Sequence, residues 1–112
     1  MRKRPHAYLE TDWTWASDSN NNNDAIVTVN HAAGCRTVVP EIYAGFSDFP
    51  ANSKNLTITD GTTTLYFPIS TGECKHITLE KPFWAAENTN VTVTLPASGT
   101  AGVYGYLNVC YG

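Results

Sequence analysis

Apolar residues in this chain recur at every second position, in short runs, and no long stretch carries the 3.6-residue helical period. Eight such runs fall at 6–15, 25–31, 35–46, 55–59, 63–69, 75–80, 90–95 and 103–111. Val27 and Val29 share a face, as do Leu56 and Ile58, Ile77 and Leu79, the trio Val91, Val93 and Leu95, and the trio Val103, Leu107 and Val109. The alternate positions are mostly Thr, Asn, Lys or Tyr, so each strand is expected to have one buried face and one that is wet or covered by a partner. The expected fold is all-β: about eight antiparallel strands in a two-sheet, jelly-roll-like sandwich with an extended N-terminal arm.

Turn chemistry supports that reading. Asp60-Gly61 lies between LTIT and TTTLYF, a hairpin signal that needs positive φ. The small residues Ala32, Ala33 and Gly34 predict a second hairpin, and 70–73 a third. Segments 47–54 and 97–102 read as longer connections. With 112 residues, one domain is expected, divided as an arm, first strand and Asn-rich loop over 1–24 and a sandwich over 25–112.

Several function classes lose support at this stage. Charged residues make up 15% of the chain and the net charge is −3, which weighs against nucleic acid. No run approaches a membrane-spanning length, and no apolar segment follows Arg2, Lys3 and Arg4 as a secretory signal requires. Synthesis in a reducing cytoplasm is therefore expected, with Cys35, Cys74 and Cys110 as free thiols, and the two N-x-T sequons at Asn55 and Asn90 carry little weight. No nucleophile, zincin or phosphate-loop motif is present, so neither catalytic residues nor a cofactor are expected. His31, Cys35, Cys74 and His76 form a metal-like set, but strand phase puts His31 with Val27 and Val29 on the buried face, and Cys74 and His76 with Thr78 and Glu80 on the wet one. No metal site is expected from them.

The segment DSNNNND places Asp18, Asn20, Asn22 and Asp24 at the alternate spacing of calcium ligands. The sixth and twelfth loop positions, where a calcium loop has Gly and Glu, hold Asn23 and Val29. The segment is read instead as a polar surface loop, its side chains bonding backbone or touching a neighbouring subunit. Trp13 and Trp15 share one face of the first strand, which reads first as core packing and alternatively as a sugar- or protein-binding platform. Tyr104 and Tyr106 lie opposite Val103, Leu107 and Val109 and are candidates for a subunit interface. Phe83 and Trp84, after Pro82, are candidates to cover the sandwich's end. Arg2, Lys3 and Arg4 are read as a solvated tail or as an arm on an acidic protein surface.

The stretches AAGCRTVVPEIYAGFS, LTITDGTTTLYFPIS and KPFWAAENTNVTVTLPASGTAGVYGYLNVCYG, spanning about residues 25–112, resemble small β-sandwich structural proteins of tailed bacteriophages. The resemblance implies a virion protein that decorates or cements a capsid or builds head fibres or tail parts, commonly as a trimer. Its partners would be the major capsid protein or another virion protein. It implies no catalytic residues. The rival reading is a receptor- or glycan-binding module of a phage tail or fibre.

Overall fold

The computed structural model describes residues 13–69 and 75–112. Eight strands run β1 (Thr14–Asn21), β2 (Ala25–Val29), β3 (Val38–Phe46), β4 (Lys54–Thr59), β5 (Thr64–Ile69), β6 (Lys75–Trp84), β7 (Val91–Leu95) and β8 (Tyr104–Tyr111). They form two four-stranded antiparallel sheets, β1-β8-β3-β6 and β2-β7-β4-β5. Thr14 pairs with Tyr111, Ala25 with Leu95, Val38 with Trp84 and Lys54 with Ile69. The chain is thus one long hairpin, first strand against last and fourth against fifth, wrapped into two layers, which is jelly-roll topology.

The period-2 pattern builds the core. Val27, Val29, Ile42, Ala44, Leu56, Ile58, Leu79, Val91, Val93, Leu95, Leu107 and Val109 point between the sheets and are buried. Phe46 and Phe83 complete this layer. Gly105 faces inward on β8, where an added Cβ would stand 3.1 Å from Leu95 Cδ2 and 3.4 Å from Phe46 Cε1. The two sheets approach closely there because the residue has no side chain.

Prolines sit where the ladder can lose a donor. Pro40 lies in the interior strand β3, at the register shift between Val39 and Glu41. Pro68 and Pro82 lie on the edge strands β5 and β6. At the apex of the wrapped hairpin, Gly61 takes φ 92°, as the Asp60-Gly61 signal requires.

The small-residue turn at 32–34 is not a hairpin. β2 and β3 lie in different sheets, so this segment crosses the sandwich, with Gly34 at φ 72°. The β5–β6 link at 70–73 also joins strands of different sheets and lies outside the described residues, as does Cys74. His31 is exposed, because β2 stops at Val29 and the chain turns away. Its backbone N–H and ring Nδ1 both meet Asn90 Oδ1, at 2.9 and 2.8 Å.

Candidate functional site: the aromatic outer face of the first sheet

Alternation puts Trp15, Ser17 and Ser19 of β1 on the outer face of the first sheet, with Tyr104, Tyr106 and Asn108 of β8, Glu41 and Tyr43 of β3, and His76 and Thr78 of β6. Pairing register then brings distant residues into rows. Ser17 lies beside Asn108, Asn108 beside Tyr43, and Tyr43 beside His76. Trp15 and Glu41 flank Cys110 in the next row. Trp15, Tyr43, Trp84, Tyr104 and Tyr106 are between 38% and 47% exposed, a concentration of large aromatics on one sheet surface.

The rings are ordered against one another. Tyr43 and His76 stack at 4.2 Å with planes 2° apart, and Trp15 leans on Tyr43 at 5.7 Å and 49°. His76 Nε2 stands 3.0 Å from Glu41 Oε1 and 3.4 Å from Thr78 Oγ1. Tyr104 and Tyr106 stack at 6.4 Å. At the far edge the Arg36 guanidinium lies 5.5 Å from the Trp84 ring centre while its Nε donates to Ala85 O at 2.7 Å. Trp84 is exposed, whereas Phe83 enters the core.

Between the Trp15–Tyr43 wall and Tyr106 the surface dips. One depression of about 350 Å³ is lined by Trp15, Tyr43 and Asn108. An adjoining one of about 370 Å³ is lined by Ser17, Asp18 and Ser19 of β1 and Tyr106, Leu107 and Asn108 of β8. Cys110, the cross-strand neighbour of Trp15, is buried. That burial, and then the Glu41 carboxylate, push its thiol pKa up, so it stays protonated.

The second sheet presents a different outer surface. Thr28, Thr92, Thr59 and Thr64 form one cross-strand row, and Ile26, Thr94, Thr57 and Tyr66 the next. Hydroxyl-rich rows with a single aromatic make this the more polar of the two faces.

Of the sequence candidates, Trp15, Tyr104 and Tyr106 come together on the aromatic face. Trp13 is half-buried just before β1. Arg2, Lys3 and Arg4 lie outside the described residues. Core packing does not hold for Trp15, which is 47% exposed. The reason is β1's position. It is an edge strand beside the edge strand β2 of the other sheet, and its inward positions Ala16, Asp18 and Asn20 close that open side. Asp18 Oδ2 accepts the Ile26 N–H at 2.9 Å, and the Asn20 amide donates to Asp24 O at 2.8 Å. An aromatic-in register would have left those edge groups without partners.

The rest of DSNNNND forms the β1–β2 corner and stitches it to the β7–β8 loop. Asp24 Oδ1 accepts from Ala97 N at 2.9 Å, Asn22 Oδ1 from Gly99 N at 2.9 Å, and Asn21 Oδ1 from Gly102 N at 2.8 Å. Asn22 holds the left-handed conformation at φ 51°. Among the described residues no three His, Cys, Asp or Glu are grouped to hold a metal ion. Tyr43, His76 and Asn108 join the site from three strands. The alternation in EIYAGF and YGYLNV gives their faces, but strand order alone makes them neighbours.

No family model matches the chain, and no curated protein sequence matches it. Solved structures do share the fold. The NLP core of Drosophila, described with pentamer formation and histone binding, superposes with TM-score 0.54 at 14% identity, covering 88% of this chain and 97% of that one. The acid-stable capsid of Helicobacter pylori bacteriophage KHP30 gives TM-score 0.53 at 16% identity, covering 88% and 86%. At such identities the likeness is one of fold: a β-sandwich found in a phage capsid and in a pentamer-forming core.

Proposed function

We propose that this chain is a non-enzymatic virion structural protein, a decoration or cement protein that stabilises a phage head through contacts with its own copies and with the shell. It works as a homo-oligomer, a trimer by preference, on the major capsid protein or another virion protein. It is made in the host cytoplasm and resides in the virion. The observation that carries the reading is the unequal chemistry of the two outer faces. A sheet surface with five exposed Trp and Tyr side chains, beside a Thr-rich one, has the composition of a contact surface, where Tyr and Trp are enriched. Many weak contacts repeated over a lattice then hold the particle. The stacked pair Tyr104 and Tyr106 supplies the contact with copies, and the segment with Arg2, Lys3 and Arg4 reaches the shell.

The test is native mass together with co-sedimentation on empty capsids. A discrete oligomer that pellets with capsids, and loses occupancy when residues 2–5 are deleted, supports the reading. A monomer that stays in the supernatant overturns it.

A further inference from the structure

The Trp15 end of the aromatic face has a chemistry that the Tyr104–Tyr106 end lacks. Trp15 and Tyr43 offer exposed ring surface along one wall of a dip, with 47% and 38% of each residue open. The dip is floored along β8 and β1 by Asn108, Ser17 and Ser19, all exposed. Among the described residues, the Asn108 amide and the two serine hydroxyls make no hydrogen bond to another side chain or to backbone, so they present donors and acceptors outward together. One acidic residue, Asp18, also lines the larger depression, and its carboxylate is engaged by hydrogen bonds. The Asp18 carboxylate points inward to the Ile26 N–H, and Glu41 is held by His76.

Apolar ring faces beside neutral hydrogen-bonding groups suit a ligand that is itself two-sided, with C–H surface on one side and hydroxyls on the other. A purely apolar occupant would leave Asn108 and the serines unpaired, and an anionic one would find no counter-ion among the lining residues. We propose that the trough binds a neutral saccharide, with a pyranose ring against Trp15 and Tyr43 and its hydroxyls exchanging hydrogen bonds with Asn108 and Ser17. The two adjoining depressions, about 350 and 370 Å³, give room for more than one sugar unit along the β1–β8 seam. This goes beyond the reading of the sheet face as a subunit contact surface and does not rest on the virion assignment.

The purified chain is titrated with neutral gluco-, manno- and galacto-oligosaccharides and with N-acetylglucosamine oligomers, following tryptophan fluorescence. At least one series is expected to give a saturable shift, with Kd on the order of 10 µM to 1 mM. Trp15→Ala is expected to abolish it, Asn108→Ala to weaken binding about tenfold, and Tyr104→Ala and Trp84→Ala to leave it unchanged, with each variant's thermal melt confirming its fold. A saturable shift that survives both Trp15→Ala and Asn108→Ala overturns the proposal. So does the absence of saturable binding across the panel, including the case in which Trp15→Ala instead splits an oligomer and so identifies the trough as a copy-to-copy contact. Failure on the capsid pelleting assay leaves this result standing, and the reverse also holds.

Discussion

Asp60, at the apex of the β4–β5 hairpin, accepts the backbone N–H of Ala86 from beyond β6, at 2.9 Å. The same carboxylate takes the Thr62 and Thr63 N–H groups at 2.9 and 2.8 Å. One side chain, 9% exposed, therefore ties the turn of one sheet to the segment leaving the other. The Thr63 bond foremost, with those from Ala86 and Thr62, holds its pKa below the ordinary carboxylate value despite the opposing effect of burial.

A depressed folded-state pKa contributes stability above the unfolded value and loses it as pH falls through the folded one. Chemical denaturation between pH 7 and pH 2 is expected to show wild-type stability dropping below about pH 4. Asp60→Asn should flatten part of that drop. At pH 7 it should cost about 1–3 kcal/mol, since an amide cannot accept at both positions and its NH₂ would face the Ala86 N–H.

The β1–β2 corner should respond to substitution in a graded way. Asn22→Gly keeps the left-handed backbone and loses the bond to Gly99, whereas Asn22→Ala loses the bond and adds strain. Urea unfolding is expected to rank wild type above Gly above Ala, with the Ala variant about 1–3 kcal/mol below wild type.

Gly105→Ala tests the close approach of the sheets. The new methyl would press on Leu95 and Phe46, both buried between the layers. A loss of about 1–3 kcal/mol is expected from overpacking, measured by thermal or urea unfolding. Reducing the opposing side chain in the double variant Gly105→Ala/Leu95→Val should recover part of it.

Cys110 should resist alkylation. It is buried beside its cross-strand partner Trp15, with its thiol held protonated. Peptide mass mapping after brief iodoacetamide treatment at neutral pH is expected to find Cys110 unmodified in the folded protein and labelled after denaturation. Trp15→Ala should increase its labelling without unfolding the chain.

Strand number, strand faces and the apex turn are legible in the sequence because each is written locally. Val91-Thr92-Val93-Thr94-Leu95 states its own inward and outward sides, and Asp60-Gly61 states its own turn. Connections are less legible. Ala32–Gly34 has the small residues of a hairpin, yet the same chemistry serves a crossing between layers, and the choice rests on where β7 and β8 insert. The burial of Trp15 is less legible still, for a related reason. Alternation divides β1 into two sides without saying which is buried, and the edge position favours Asp18 and Asn20 inside over the larger aromatic. The trough has no local signature at all, since Trp15, Asn108 and Tyr43 stand on three strands whose adjacency follows from the wrap of the whole chain.

β8, the last of the eight strands in chain order, lies between β1 and β3, and it is the strand that β1 pairs with along its full length. Until β8 docks, β1 has no ladder to join and β3 is bare on one side. The first sheet and its aromatic face therefore assemble only when the two most distant strands of the sandwich meet, a closure dominated by non-local pairing.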